Sequence, residues 1–393
     1  MKIAFFIDSS SVGGGYYHMM NFVNLAKEIK LEKHSIVFIT RNKKIFELLN
    51  KSGIKNYFFK PSLLNKISFK LLRSRFITKI FELINYYNPF YQFIKKNKID
   101  YVVFNEPSYF TLYCKHLNFI SYIFNTEIDD VSHFNEFKNG NYERQKKIIS
   151  FSVNYAKKIF VFTETNKIDL IKRYNCDSSK ILIQNLIPYL PEVYQNNIEV
   201  DYKKIFRTKF ALPQNKKFLF YPAQFWEHKN HILIIEMIKY LKKNKFNEIS
   251  IIFSGNDRGN FSKIKNIVEK EELNSYVNFL GEISELELIA IYKYCDYVII
   301  PTFIGRCSLP LLESLYFKKI IFYNKNILDV SLLEYVIGID PNNAQELYLK
   351  IKKNILDKNN QEIEIKNLTG VYEQLCDKKK FINNFQNLLK IPH

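Results

Sequence analysis

The chain reads as an α/β protein of two domains, each built on a parallel, doubly wound sheet. Three observations point there. Its 393 residues are too many for one ordinary core and suit two domains of roughly 180 residues. Short apolar runs alternate with stretches of helical periodicity along the whole chain. The alternation stops at 186–216, where Pro188, Pro191, Pro213 and several asparagines interrupt it, and then begins again.

In the first half, KIAFFID (2–8) reads as a buried strand. As a signal peptide its apolar run is too short, contains Asp8 and lacks a following cleavage site. A helix is expected from about Tyr16 to Ile29, then a strand at HSIVFIT (34–40). IDYVVFNE (99–106), LNFISYIFN (117–125) and KKIFVFTET (157–165) are further strands, the last followed by a helix ending near 173–175. ILIQNLIP (181–188) closes this half.

The second half starts with KFLFYPAQF (217–225), a strand and its exit loop, and the helix HILIIEMIKYLKK (231–243). EISIIFSGN (248–256), YVNFLGEI (276–283), DYVIIPT (296–302) and KKIIFYN (318–324) supply strands. Helices are expected at 261–273, at 284–295 with Ser284 as N-cap, at 309–317 and at 344–356. The tail from about Val371 to Leu389 reads as one more helix. The expected domains are therefore 1–190, a connection at 191–216 containing a small helix, 217–370, and a terminal helix in 371–393.

Composition narrows the function classes. A hydrophobic share of 47% is that of a globular chain. Five scattered cysteines form no CxxC and no Cys/His cluster, so neither a zinc site nor a disulfide framework is indicated, and a reducing, cytoplasmic setting is the expectation. No run of about 18 uncharged apolar residues signals a membrane span. The net charge of +19 fits an anionic partner, and equally a compositional bias that raises Lys, Asn, Ile, Phe and Tyr together. No nucleic-acid-binding motif accompanies it.

Four segments carry candidate chemistry. Gly13, Gly14 and Gly15 follow the first strand and precede a helix, a backbone able to approach an anion closely. The spacing is not GxGxxG, and Thr40-Arg41 rather than an acid ends the second strand, which argues against a dinucleotide cofactor. YPAQFWEHKNH (221–231) places Lys229 just before a helix, with Asn230 as its N-cap, where an ammonium can neutralise phosphate charge during bond cleavage. PTFIGRCSLPLLES (301–314) offers the amides of Ser308 and Leu309 at a helix start, with Pro310 in the first turn. Glu313 follows, a carboxylate suited to accepting hydrogen bonds from two ribose hydroxyls, or one placed only for the helix dipole. In NTEIDDVSHF (125–134), Asp130 and His133 lie three apart, as a facing pair or as ordinary loop residues.

In this order the blocks resemble the retaining GT-B glycosyltransferases of family 4, the group 1 enzymes that include bacterial lipopolysaccharide and O-antigen transferases. YPAQFWEHKNH is similar to the PAQFWxHKNH block of one subgroup. SGNDRGN, VNFLGEIS, PTFIGRCSLPLLES and IGIDPNNAQEL (337–347) follow at the family's intervals, and DVSH (130–133) resembles its DLxH loop. The resemblance is strong over about 217–350 and thinner before it. It implies two Rossmann-like domains flanking a deep cleft, with the C-terminal helix returning to the N-terminal domain. It further implies a sugar nucleotide donor, UDP- or GDP-linked, no metal, and a glycan or lipid-linked acceptor. On this basis Lys229 contacts the donor diphosphate and Glu313, the second Glu of E-x7-E, the ribose. Gly281 lies near the base, and Gly255, Ser308 and Leu309 line the donor site. Gly13 to Gly15 face phosphates and acceptor, and Asp130 and His133 lie nearest the reacting carbon.

Three departures stand out. Gly305 occupies the position of the first Glu of E-x7-E, Gln224 that of the diphosphate arginine, and Asp129 that of the His of an HD pair. The PAQFW subgroup itself carries Gln at the arginine position. Arg306 or Arg258 is expected to supply the positive charge. The basic, aromatic stretch 63–98 reads either as a contact with the anionic cytoplasmic face of an inner membrane or as ordinary domain helices. Rival functions are a GT-B sugar-nucleotide epimerase or phosphorylase, and a non-catalytic nucleotide-sugar-binding homologue.

Overall fold

The computed structural model describes residues 1–8, 14–29, 34–63, 67, 88–184, 186–210, 212–213, 215–357, 361, 365–366, 368 and 370–390. Gly13 and most of the basic stretch 63–98 lie outside the described residues. The chain forms two compact units, Met1–Asn185 with Asp377–His393, and Leu186–Cys376.

The first unit holds a seven-stranded parallel sheet. Its strands are β1 (Lys2–Phe6), β2 (Ser35–Thr40), β3 (Asn56–Phe58), β4 (Tyr101–Phe104), β5 (Asn118–Tyr122), β6 (Lys158–Val161) and β7 (Ile181–Ile183). They lie in the order β3-β2-β1-β4-β5-β6-β7. The central strands are buried on both faces, which is why they read as unbroken apolar runs. Asn42 and Thr163 open the helices Lys43–Lys51 and Glu164–Tyr174 by accepting from first-turn amides. The terminal helix Lys378–Lys390 belongs to this unit: Phe385 stacks on Phe5 at 5.4 Å, and Phe381 meets Phe22 at 5.7 Å.

The tail is not one helix but two, Val371–Leu375 and Lys378–Lys390. Asp377 divides them, its carboxylate accepting from the Lys380 amide at 2.9 Å, an N-cap bond that starts a new helix.

The second unit holds six parallel strands: β8 (Lys217–Pro222), β9 (Ile249–Ser254), β10 (Val277–Phe279), β11 (Tyr297–Ile300), β12 (Ile320–Asn324) and β13 (Ile337–Ile339). Their order is β10-β9-β8-β11-β12-β13. The segment 191–216 contributes two helices, Leu190–Asn196 and Tyr202–Lys209. Both pack on this unit: Tyr194 meets Phe317 at 5.6 Å and Phe206 meets Tyr294 at 5.6 Å. Ser284 and Glu287 form a reciprocal capping box at the helix Glu285–Tyr294. Among the described residues no helix is long and apolar enough to cross a membrane.

Each sheet reverses its order beside its first strand, between β1 and β4 and between β8 and β11. At such a reversal neighbouring loops diverge and leave a crevice at the carboxyl ends of the strands.

Candidate functional site

Four loops meet at the reversal in the second sheet. Those after β8, β9 and β10 are joined through their backbones. The Ala223 amide donates to Ser254 O at 3.0 Å, Phe225 to Asn256 O at 3.0 Å, and Gly255 to Gly281 O at 2.7 Å. This close approach requires glycine at 255: φ is +142°, and a Cβ there would lie 2.4 Å from Ala223 O. Gly281 has φ +65° with open space where a Cβ would go.

The β8 loop is tied to the β11 loop across the reversal. His228 O accepts from the Phe303 amide at 2.9 Å and the Thr302 hydroxyl at 3.3 Å. Asn230 sits at the start of the helix His231–Lys243 but does not cap it. Its φ is +56°, and its side-chain amide donates to Pro341 O at 2.8 Å and Pro301 O at 3.3 Å. The asparagine fastens loops instead, because the left-handed turn directs it away from the helix amides.

These bonds fix Lys229, a half-buried residue whose amide donates to Trp226 O at 3.2 Å and whose carbonyl accepts from the Tyr221 hydroxyl at 2.8 Å. His231, two residues on, is a packing residue. Its buried ring stacks on Phe225 at 4.3 Å, and burial, reinforced by the Lys229 charge, lowers its pKa to about 3.

On the β11 side, Ser308 caps the helix Leu309–Tyr316, its hydroxyl accepting from the Leu311 amide at 3.4 Å. The amides of Ser308 and Leu309 precede the helical ladder, at the positive end of the dipole. Gly305 adopts φ +106°, and its carbonyl accepts from the Tyr323 hydroxyl at 2.6 Å. Arg306 extends toward the β12 exit, Nη1 donating to Ile327 O at 3.4 Å. Glu313 is 3% exposed. Its Oε2 accepts from the Tyr292 hydroxyl at 2.9 Å, and burial pushes its carboxyl up to about 7 against that bond. Tyr292 is a partner that the sequence reading does not single out.

The structure thus gathers Gln224, Lys229, Gly255 and Gly281 on three joined loops, and Gly305, Arg306, Ser308, Leu309 and Glu313 on the loop and helix beyond β11. In the first unit, Gly14 opens the helix Gly14–Glu28. Asp130 lies on a 3₁₀ turn after β5, its carboxylate held by both terminal nitrogens of Arg173 at 3.0 and 2.9 Å. Asp129 is paired with Lys146 at 2.9 Å. His133 is exposed and lies against Phe134. Among the described residues no group of three or more His, Cys, Asp or Glu is placed to hold a metal.

A second cluster, which sequence reasoning missed, occupies the β1/β4 reversal. Arg41 Nε donates to Asp8 Oδ2 at 2.7 Å, and its guanidinium lies 4.9 Å from the Phe110 ring centroid. Burial, with the Asp8 charge adding and Arg41 opposing, raises Glu106 to about 7. The available signal was an acid at or one residue beyond the end of each of two apolar runs, Asp8 after Ile7 and Glu106 after Phe104-Asn105.

Two parallel doubly wound sheets, each with an order reversal beside its first strand, define an α/β protein of two Rossmann-like units. Residues 203–369 match the family described as glycosyl transferases group 1, and the chain carries a group 1 glycosyltransferase domain over that span. No curated protein sequence matches it. The fold is shared with a glycosyltransferase from Rickettsia africae ESF-5, at 17% identity and TM-score 0.68 over 100% of this chain and 99% of that one. It is also shared with Anabaena Alr3699/HepE, solved with UDP-glucose, at 12% identity and TM-score 0.73 over 99% of both chains. WaaG, a glycosyltransferase involved in lipopolysaccharide biosynthesis, matches at 14% identity and TM-score 0.72 over 99% of this chain and 100% of that one.

Proposed function

We propose that the protein transfers a sugar, with retention of anomeric configuration, from a UDP- or GDP-linked donor to a hydroxyl of a glycan or lipid-linked acceptor. Lipopolysaccharide, O-antigen or capsule synthesis on the cytoplasmic side of a membrane is the setting that the sequence blocks suggest. One observation carries this reading: the Lys229 loop and the loop that leads to the capped helix Leu309–Tyr316 follow the adjacent strands β8 and β11, and His228 of the first bonds Thr302 and Phe303 of the second.

Cleavage of the donor leaves negative charge on the nucleoside diphosphate. In this reading the Lys229 ammonium and the Ser308 and Leu309 amides meet it, and such help grows as the leaving group gains charge. Glu313, near its midpoint of ionisation at neutral pH, is the carboxyl assigned to the ribose. No metal is required in this scheme, since the lysine and the helix start meet the diphosphate charge.

Thermal shift across UDP-, GDP-, ADP- and CMP-sugars identifies the donor, and transfer is then followed with that donor at saturation. Lys229→Ala is expected to lower turnover about a hundredfold. Unchanged turnover would remove the lysine from the mechanism. Binding without transfer to any acceptor would point to a non-catalytic homologue, and conversion of the sugar nucleotide alone to an epimerase.

A further inference from the structure

We propose that Arg258, held in place by Gln224 and Trp226, is a second cation on the donor diphosphate. The proposal rests on the donor-site reading above and adds a residue to it.

Arg258 lies on the turn after β9, and that turn is rigid by construction. Asp257 Oδ1 accepts from the amides of Gly259 at 2.7 Å and Phe261 at 3.2 Å, and the turn is bridged to the β8 loop at Phe225. From this base the side chain reaches back to the loop that carries Lys229. Its Nε donates to Gln224 Oε1 at 2.8 Å, and its guanidinium carbon lies 5.7 Å from the centroid of the Trp226 ring. A guanidinium fixed through Nε keeps its two terminal nitrogens as a fork, the geometry that matches two phosphate oxygens. Those nitrogens make no hydrogen bond among the described residues, and the residue is exposed.

The choice of partner matters. A carboxylate would pin the arginine equally well but would cancel its charge. Gln224 is neutral, so the full charge remains for a ligand. The turn's own carboxylate, Asp257, is occupied by backbone amides. Arg306, the alternative source of charge, donates toward Ile327 O on the far side of the β11 loop. The position taken by Gln224 is therefore one that orients a cation rather than supplying one, and the cation comes from the neighbouring loop.

Isothermal titration with UDP and GDP, and with the corresponding monophosphate and nucleoside, tests this. For the diphosphate that the wild type binds, Arg258→Ala is expected to weaken affinity about tenfold, the size of one charge-assisted bond. The same variant should change nucleoside affinity by less than about twofold. Gln224→Leu, which leaves the arginine but removes its acceptor, should weaken the diphosphate by a few fold in the wild-type background and not at all in Arg258→Ala. That coupling would be absent if the glutamine only shaped the loop. Gln224→Arg combined with Arg258→Gln should recover most of the loss. Wild-type affinity in Arg258→Ala, or an equal loss for nucleoside and diphosphate, overturns the proposal while leaving the donor site standing. A wild type that binds no nucleoside diphosphate overturns both.

Discussion

The crevices at the two sheet reversals have the same topology and opposite chemistry. At β8/β11 the loops are joined mainly backbone to backbone, through Gly255, Gly281 and His228. The charged side chain beside them, Arg258, donates to a neutral partner, Gln224. At β1/β4 the strands end in side-chain electrostatics: Asp8 on Arg41, and Glu106 close enough to feel both. A doubly wound sheet decides where a crevice opens, and the loops decide what it accepts. The contrast makes different demands on the two regions. A site built from backbone should fail when a Cβ intrudes, whereas a site built from partly buried carboxyls should respond to pH.

The largest effect is expected at Gly255. Its φ of +142° and the 2.4 Å approach of a Cβ to Ala223 O, a backbone atom, leave no cheap adjustment. Gly255→Ala should cost on the order of 4 kcal/mol, strain and clash together. Gly281→Ala, at φ +65° with open space around it, should cost about 1 kcal/mol. Urea denaturation of the two variants measures both. Equal and small losses would show that the loops are not held by this approach.

The first crevice should answer to pH. Glu106 is raised from 4.5 to about 7, so the folded state keeps a proton that the unfolded chain releases. Stability from this group is therefore intact below about pH 4.5 and is lost as pH rises through 7. At ~1.4 kcal/mol per pKa unit, the full swing is about 3.5 kcal/mol. Glu106→Gln has no such proton to lose. Its stability relative to wild type should rise between pH 5 and pH 8, by about 2–3 kcal/mol at most. A difference that stays constant across that range would mean that the carboxyl is not buried as described.

Most of the architecture was legible in the sequence because buried parallel strands are apolar on both faces. β4, β9 and β11 stand out for that reason. Of the four edge strands, each three residues long, β7 and β10 were read within longer apolar runs, whereas β3 and β13 escaped. The helix Asn141–Tyr155 escaped because its buried residues, Ile148, Ile149, Ser152 and Val153, cluster toward one end. At the candidate site, Lys229 and Ser308 were named from local motifs and Gly281 from the family resemblance. Asp8 with Arg41 and Glu106 was not, since those three residues come together only when β2, β1 and β4 pair in the sheet. Gln224 with Arg258 was half legible. The arginine could be named as a source of charge, but the hydrogen bond joining it to the glutamine spans 34 residues and depends on β8 lying beside β9. Asp130 shows the converse: the short spacing to His133 left a pair facing one site and ordinary loop residues both open, and the bond from Arg173 on the helix Glu164–Tyr174 to its carboxylate spans 43 residues.

The smallest effect sharpens the comparison by asking whether the second crevice also contains a titrating carboxyl. Glu313 resembles Glu106 in being raised by burial to about 7, yet it differs in having a donor, the Tyr292 hydroxyl, that favours its ionised form. If the ionised carboxyl accepts the ribose hydroxyls, nucleoside affinity should increase by a few fold as pH rises from 6 to 8. Glu313→Gln should bind more weakly and lose that slope. Tyr292→Phe removes the bond that lowers the pKa, so its rise in affinity should shift to higher pH while the limiting affinity stays near that of wild type. Titration of the nucleoside at several pH values separates these outcomes. A slope retained in Glu313→Gln would assign the titration to another group, and a Tyr292→Phe profile that coincides with wild type would mean the tyrosine bond does not tune the carboxyl.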